Sequence, residues 1–153
     1  MKRFSVALLL LLVPTFLSCS GKKVDENDPA AIMADAEDDI KGDRYAPALE
    51  KLRMVKNRFP YSKLAVDASL RIADVYFLQE SFSEAASAYE LFRDLHPKHE
   101  KITYAMYRIA KSYFSDMPTV TARDLTVGYR AVESYEAFLR RFPGTPVAKG
   151  AGV

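Results

Sequence analysis

The chain has no tryptophan, one cysteine and two histidines among its 153 residues. A single cysteine, Cys19, excludes an internal disulfide and a cysteine-based zinc cluster. His96 and His99 flank Pro97 at a helix boundary, so no H-E-x-x-H zinc motif exists. The six glycines form no phosphate-binding loop, and no G-x-S-x-G elbow occurs. Without a nucleophile–base pair there is no reaction to assign. We therefore expect no enzyme: no catalytic residue, no metal and no dissociable cofactor. An excess of charge is missing as well. The net charge is +2, and Lys2 and Arg3 lie in a segment that reads as a removable signal. The balanced remainder offers no basic stripe for nucleic acid. Asp35, Glu37, Asp38 and Asp39 crowd one short stretch but lack the glycine turn and ligand alternation of a calcium loop. They read as a solvated helix face.

What is present begins with a targeting segment, residues 1–18. Lys2 and Arg3 precede an unbroken apolar run, Val6 to Val13, and Pro14 ends that run. The run is too short to span a bilayer and has the form of a secretory signal. The segment closes on Phe16-Leu17-Ser18-Cys19, which resembles the bacterial lipobox, although Phe16 stands where a leucine is preferred. The resemblance implies that Cys19 is lipidated and becomes the mature N-terminus, so a covalent lipid is the only prosthetic group expected. In the lipoproteins it resembles, a serine after the cysteine, here Ser20, permits sorting to the outer membrane, and the chain is expected there, facing the periplasm. Residues 19–29 are polar and aperiodic and read as a tether; ten such residues reach roughly 35 Å when extended.

The rest repeats. Tyr61 to Pro97 holds two amphipathic stretches, the first with Leu64, Ala65, Ala68, Ile72, Val75 and Tyr76 at helical spacing, the second with Phe82, Ala85, Tyr89 and Phe92. Ser81 and Glu84 have the spacing of a capping box between them, and Pro97 closes the unit. Aligned on that proline, Ile72, Ala73, Tyr76, Ala85, Tyr89 and Pro97 match the tetratricopeptide pattern, with Ser69 in the place of its tryptophan. Tyr45-x-x-Ala48 before Pro60 and Gly128-x-x-Ala131 before Pro143 supply two more copies, and both close on Arg-Phe-Pro. Asp28-Pro29 reads as an N-cap followed by a first-turn proline.

The expected fold is all-α, a tetratricopeptide-type solenoid of about three hairpins. These span 30–60, 61–97 and 98–143 within a repeat region of 30–149, followed by a tail at 150–153. The third copy carries an insertion, and its last helix should start near Asp124 with a stripe of Leu125, Ala131, Val132, Tyr135, Phe138, Leu139 and Phe142. Thr145-Pro146 announces a fourth hairpin. Ala73, Ala85, Ala110 and Ala131 should lie at close helix contacts.

Several pieces narrow the family. RFPYSKLAVDASLRIADVYF, HPKHEKITYAMYRIAKSYF, the Arg123-Asp124 pair in the insertion and ESYEAFLRRFPGTPVA resemble the BamD (ComL/YfiO-like) outer-membrane lipoproteins. The resemblance covers nearly the whole mature chain and implies a lipid-anchored adaptor of the β-barrel assembly machinery. Its implied partners are the central barrel subunit and unfolded outer-membrane proteins. The alternative is another periplasmic tetratricopeptide scaffold, such as a CpoB/YbgF-like envelope coordinator. Members of the resembled family carry about five repeats. The expectation is therefore a chain lacking its C-terminal repeats, with a frayed third hairpin that self-associates through Tyr135, Phe138, Leu139 and Phe142.

In such arrays the first helices of the hairpins line a concave groove. The positions that look into it are Met33, Glu37, Ile40 and Lys41 in the first repeat. In the second they are Asp67, Leu70, Asp74, Phe77 and Leu78, and in the third Tyr104, Tyr107, Lys111 and Phe114. Aromatics mixed with a few charges suit an extended or helical peptide. The resemblance implies the C-terminal signals of unfolded barrel proteins as ligands.

Overall fold

A computed structural model describes residues 24–118 and 125–146. Cys19, the targeting segment, most of the tether, the Arg123-Asp124 pair and the tail lie outside the described residues. The described residues form six helices and no strand: α1 (Pro29–Lys41), α2 (Tyr45–Arg58), α3 (Lys63–Leu78), α4 (Phe82–Leu95), α5 (Ile102–Ser115) and α6 (Thr126–Arg141). Each helix packs on the next, and α1 also touches α3, so three antiparallel hairpins stack in chain order as a solenoid. No helix among the described residues is long and apolar enough to cross a membrane.

The repeat is visible in how the helices end. Phe59, His96 and Phe142 each precede a proline and cap α2, α4 and α6. Their backbone angles nearly coincide, with φ of -123, -130 and -134° and ψ of 51, 55 and 56°. The following proline disfavours the helical region for these residues. Each N–H still donates to the carbonyl four residues back: Val55, Phe92 and Phe138.

The turns inside the first two hairpins also match. Asp43 and Glu80 adopt left-handed backbone with φ of 55° and 61°. The next N–H, of Arg44 or Ser81, then reaches back to the carbonyl of Asp39 or Tyr76, closing the first helix as a Schellman-type end. This geometry displaces the expected capping box. Ser81 has ψ of 68° and its side chain makes no cap hydrogen bond. Asp28 does cap α1, its carboxylate accepting from the N–H of Ala30 at 2.8 Å, with Pro29 at the helix start.

Packing follows the alanine seam. Ala73, Ala85 and Ala110 are fully buried and Ala131 nearly so. A first core joins α1, α2 and α3 through residues such as Ile32, Leu52 and Val75. A second joins α3 to α6 around Leu70, Tyr89, Phe92 and Ile109. Because Ala85 is fully buried in the second core, Ala85→Leu should cost about 1–3 kcal/mol through overpacking. An unshifted melting curve would contradict the seam.

The last hairpin departs from its expected stripe. Phe138 is fully buried against Met106 and Tyr107, while Tyr135, Leu139 and Phe142 are half-buried. Leu125 and Val132, expected to face inward, are exposed, as is Tyr129. Ala131 and Phe138 are the buried residues of α6. The inward arc of α6 is therefore narrower than the spread of its apolar residues.

Candidate functional site

The first helices of the three hairpins share one face, and side chains bridge them in order. Glu37 on α1 accepts two hydrogen bonds from the Arg71 guanidinium on α3, each 2.6 Å, the bidentate geometry that a planar fork favours. Asp74, one turn after Arg71, lies 3.3 Å from that arginine. It also accepts hydrogen bonds from the hydroxyls of Tyr89 on α4 at 2.5 Å and Tyr104 on α5 at 2.7 Å. The Arg108 Nε donates to the Tyr89 oxygen at 3.0 Å. Asp67 pairs with Lys101 at 3.5 Å. The face is thus a continuous polar lattice over an apolar floor, joining all three hairpins.

Aromatic rings frame it. The Arg108 guanidinium sits 3.6 Å from the Phe77 ring centre and 5.7 Å from that of Tyr104. Phe77 meets Phe82 edge to face at 5.1 Å. Tyr104 stands nearly perpendicular to Tyr89 at 6.3 Å. Lys111 lies 5.3 Å over Phe114. Burial, then the Asp74 charge, hold the Tyr89 hydroxyl far above the usual tyrosine range, and burial and the Asp74 hydrogen bond raise Tyr104 too. Both therefore remain neutral donors across the physiological range.

The expected groove residues fall into three groups. Leu78, Tyr104 and Phe114 are 45%, 41% and 49% exposed and present apolar surface to solvent. Glu37, Asp67, Asp74, Phe77 and Lys111 are half-buried members of the lattice or its aromatic rim. The others point elsewhere. Leu70 is 3% exposed and belongs to the second core; it lies three residues before Ala73 and shares that residue's inward stripe. Ile40 is buried in the first core, with Met33 packed against it. Tyr107 packs on Tyr135 and Phe138 at 6.3 and 5.9 Å. Lys41 is exposed and pairs with Asp38. Leu70 and Ile40 therefore leave the groove set.

Sequence periodicity passes over Arg71, Arg108 and the polar role of Tyr89. Arg71 and Asp74 are three apart and Tyr104 and Arg108 four apart, which places each pair on one helix face. That spacing is the available signal, but the bonds that matter cross between helices.

Asp39, among the acidic residues read as a solvated face, is buried and held by Arg44 at 2.8 Å and Lys51 at 2.5 Å. Asp35 also pairs with Lys51. This ion cluster locks α1 to α2 rather than facing solvent. Among the described residues no group of three His, Cys, Asp or Glu could hold a metal ion.

Asp74 is the hub, so its removal is testable. Asp74→Ala leaves the buried Tyr89 hydroxyl without its acceptor and frees one side of Arg71. It should cost about 2–3 kcal/mol, since an unsatisfied buried polar group carries its full desolvation penalty. Asp74→Asn, which keeps an acceptor, should cost about half as much. Urea unfolding of both variants checks this; equal losses would show that hydrogen bonding at Asp74 is not what matters.

Comparison with known proteins adds family relationships. The family model described as YfiO, outer membrane lipoprotein, matches residues 25–152. A protein of Neisseria gonorrhoeae named outer membrane protein assembly factor BamD is 26% identical over 129 residues, covering 78% of this chain and 48% of that protein. Its namesake in Rickettsia prowazekii is 27% identical over 152 residues, covering 97% and 60%. That of Vibrio cholerae is 22% identical over 153 residues, covering 93% and 64%. The chain thus spans about half the length of the Neisseria relative.

Proposed function

The chain belongs to the YfiO family of outer membrane lipoproteins, and from that membership we propose that it is a non-enzymatic, lipid-anchored adaptor for the assembly of outer-membrane β-barrel proteins. The observation that carries this reading is the extent of the family match. It runs through all six helices, including the whole bridged face of α1, α3 and α5. The relatives are named as outer membrane protein assembly factors, and nothing in that role needs bond chemistry from this chain.

In this reading the face of the first helices receives segments of unfolded barrel proteins. Leu78, Tyr104 and Phe114 take apolar side chains, and the lattice beneath keeps those residues in place. A binding face of this kind benefits from rigidity, because side chains already ordered lose less entropy when a ligand arrives. The arrays recognise peptides by laying them along such a surface. Cys19 carries the lipid and fixes the chain to the periplasmic side of the outer membrane, with residues 19–29 as its tether. The central barrel subunit of the assembly machinery is the expected stable partner.

Purification of the lipidated chain from membranes in mild detergent tests the adaptor role. Co-purification of a large β-barrel membrane protein in stoichiometric amount is the expected result. Recovery of the chain alone, or with soluble envelope-constriction proteins of the kind a CpoB/YbgF-like coordinator would bind, would overturn it.

A further inference from the structure

The face of α3 and α5 carries more cations than carboxylates, and the two cations without an ion pair among the described residues stand together. Arg71 is matched by Glu37 and Asp74, and Lys101 by Asp67. Asp74 is in turn occupied by two tyrosine hydroxyls as well as Arg71. Arg108 and Lys111 remain. Among the described residues neither has a carboxylate within ion-pair distance.

Arg108 is nevertheless held. Its Nε is committed to the Tyr89 oxygen at 3.0 Å, and its guanidinium is stacked 3.6 Å from the Phe77 ring centre. Its two terminal amino groups have no hydrogen-bond acceptor among the described residues. A half-buried guanidinium fixed by stacking has already lost much of its rotamer freedom, so less entropy is lost per hydrogen bond to an incoming anion. Lys111 follows three residues later, its ammonium 5.3 Å from the ring centre of the exposed Phe114. Along α5 the row reads Tyr104, Arg108, Lys111, Phe114: an aromatic at each end and two cations between.

We propose that this row binds a peptide segment carrying two acidic side chains on one face of an extended strand, flanked by apolar residues. The inference rests on the reading of this face as the peptide-binding surface and names the chemistry of its ligand. Residues three apart on a helix have side chains about 5–6 Å apart. Alternate residues of an extended chain point the same way and lie about 7 Å apart. An acid-x-acid segment can therefore meet both cations at once. A lone chain-terminal carboxylate would engage one and leave the other unmatched, so acidic side chains are the better occupant. The row spans ten residues of helix, about 15 Å, which roughly five extended residues cover. The apolar neighbours of the acids then reach Tyr104 and Phe114.

Two fluorescein-labelled nonapeptides, amidated at the C-terminus, test this on the purified chain. One places Asp-Gly-Asp between tyrosines, and its twin has Asn-Gly-Asn. At physiological salt the acidic peptide should bind about tenfold more tightly in fluorescence anisotropy, as desolvated charge pairs at an interface allow. Arg108→Met and Lys111→Gln should each weaken that binding about fivefold, and weaken binding of the asparagine twin, which offers no charge, by distinctly less. Lys111 makes no ion pair among the described residues, so Lys111→Gln keeps the measurement informative even if Arg108→Met disturbs folding. Equal affinity for the two peptides, or an acidic peptide indifferent to Lys111→Gln, overturns the inference while leaving the groove itself standing. Binding of neither peptide overturns both readings. If the asparagine twin with a free C-terminus binds as tightly as the acidic peptide, the cations serve chain ends and the inference also fails.

Discussion

Cys19→Ala should abolish incorporation of labelled palmitate and leave the precursor uncleaved. The effect is large because, in the proposed reading, the lipid on Cys19 is what holds the chain to the membrane. Each buried methylene of an acyl chain contributes about 0.8 kcal/mol, one chain binds only marginally, and two or more anchor stably. The alternative attachment is electrostatic. Lys22 and Lys23 in the tether would contribute about 1 kcal/mol each at an anionic surface, too little to retain a folded domain. The purified chain from Ser20 onward, without lipid, should therefore fail to sediment with lipid vesicles, whereas the lipidated chain should sediment with them. Palmitate labelling of the Cys19→Ala variant at the level of the unaltered protein would remove the lipid anchor from the account.

Phe138→Ala should cost about 3–5 kcal/mol, the usual range for deleting a fully buried aromatic ring. Phe138 is 0% exposed and packs on Tyr107 and Phe142, each 5.9 Å between ring centres. Among the described residues its cluster contains one other buried residue, Met106. Little remains to close the cavity. Because a solenoid repeat contacts only its neighbours, the loss should concentrate in α6. Hydrogen exchange should accelerate across 126–141 while 29–95 keeps its protection. Uniform acceleration along the whole chain would show that the three hairpins unfold as one unit, contrary to their neighbour-only packing.

The fold was legible in the sequence because its determinants are local and repeated. Prolines at 60, 97 and 143 fix the helix ends through the residue before each of them, and small residues at 73, 85, 110 and 131 mark the seams. Sequence and structure part where a tertiary or backbone choice overrides a local pattern. Ser81 and Glu84 have capping-box spacing, but the left-handed Glu80 commits the Ser81 N–H to the Tyr76 carbonyl and turns its side chain from the role. Repeat position alone puts Leu70 on the groove, whereas its shared stripe with Ala73 sends it into the core. The acidic run of α1 has the composition of a solvated face, yet Asp39 is buried beneath Arg44 and Lys51 from the following turn and helix. The candidate site was legible in its positions, from Glu37, Asp67, Asp74 and Phe77 to Leu78, Tyr104, Lys111 and Phe114, but not in the bonds that join them. Its lattice depends on pairs such as Glu37 with Arg71 and Asp74 with Tyr104, 34 and 30 residues apart. Periodicity within one helix carries no information about such pairs.

The central claim is that the face of α3 and α5 receives segments of unfolded barrel proteins. Photo-crosslinking from that face in cells tests it most directly. A photoreactive phenylalanine derivative would replace Phe114 in the membrane-anchored chain, with Leu91, exposed on α4, as the control position. The account predicts adducts with newly secreted barrel proteins from position 114 and few or none from position 91. Adducts of equal yield from both positions, or none from position 114 while barrel proteins are being assembled, would contradict it.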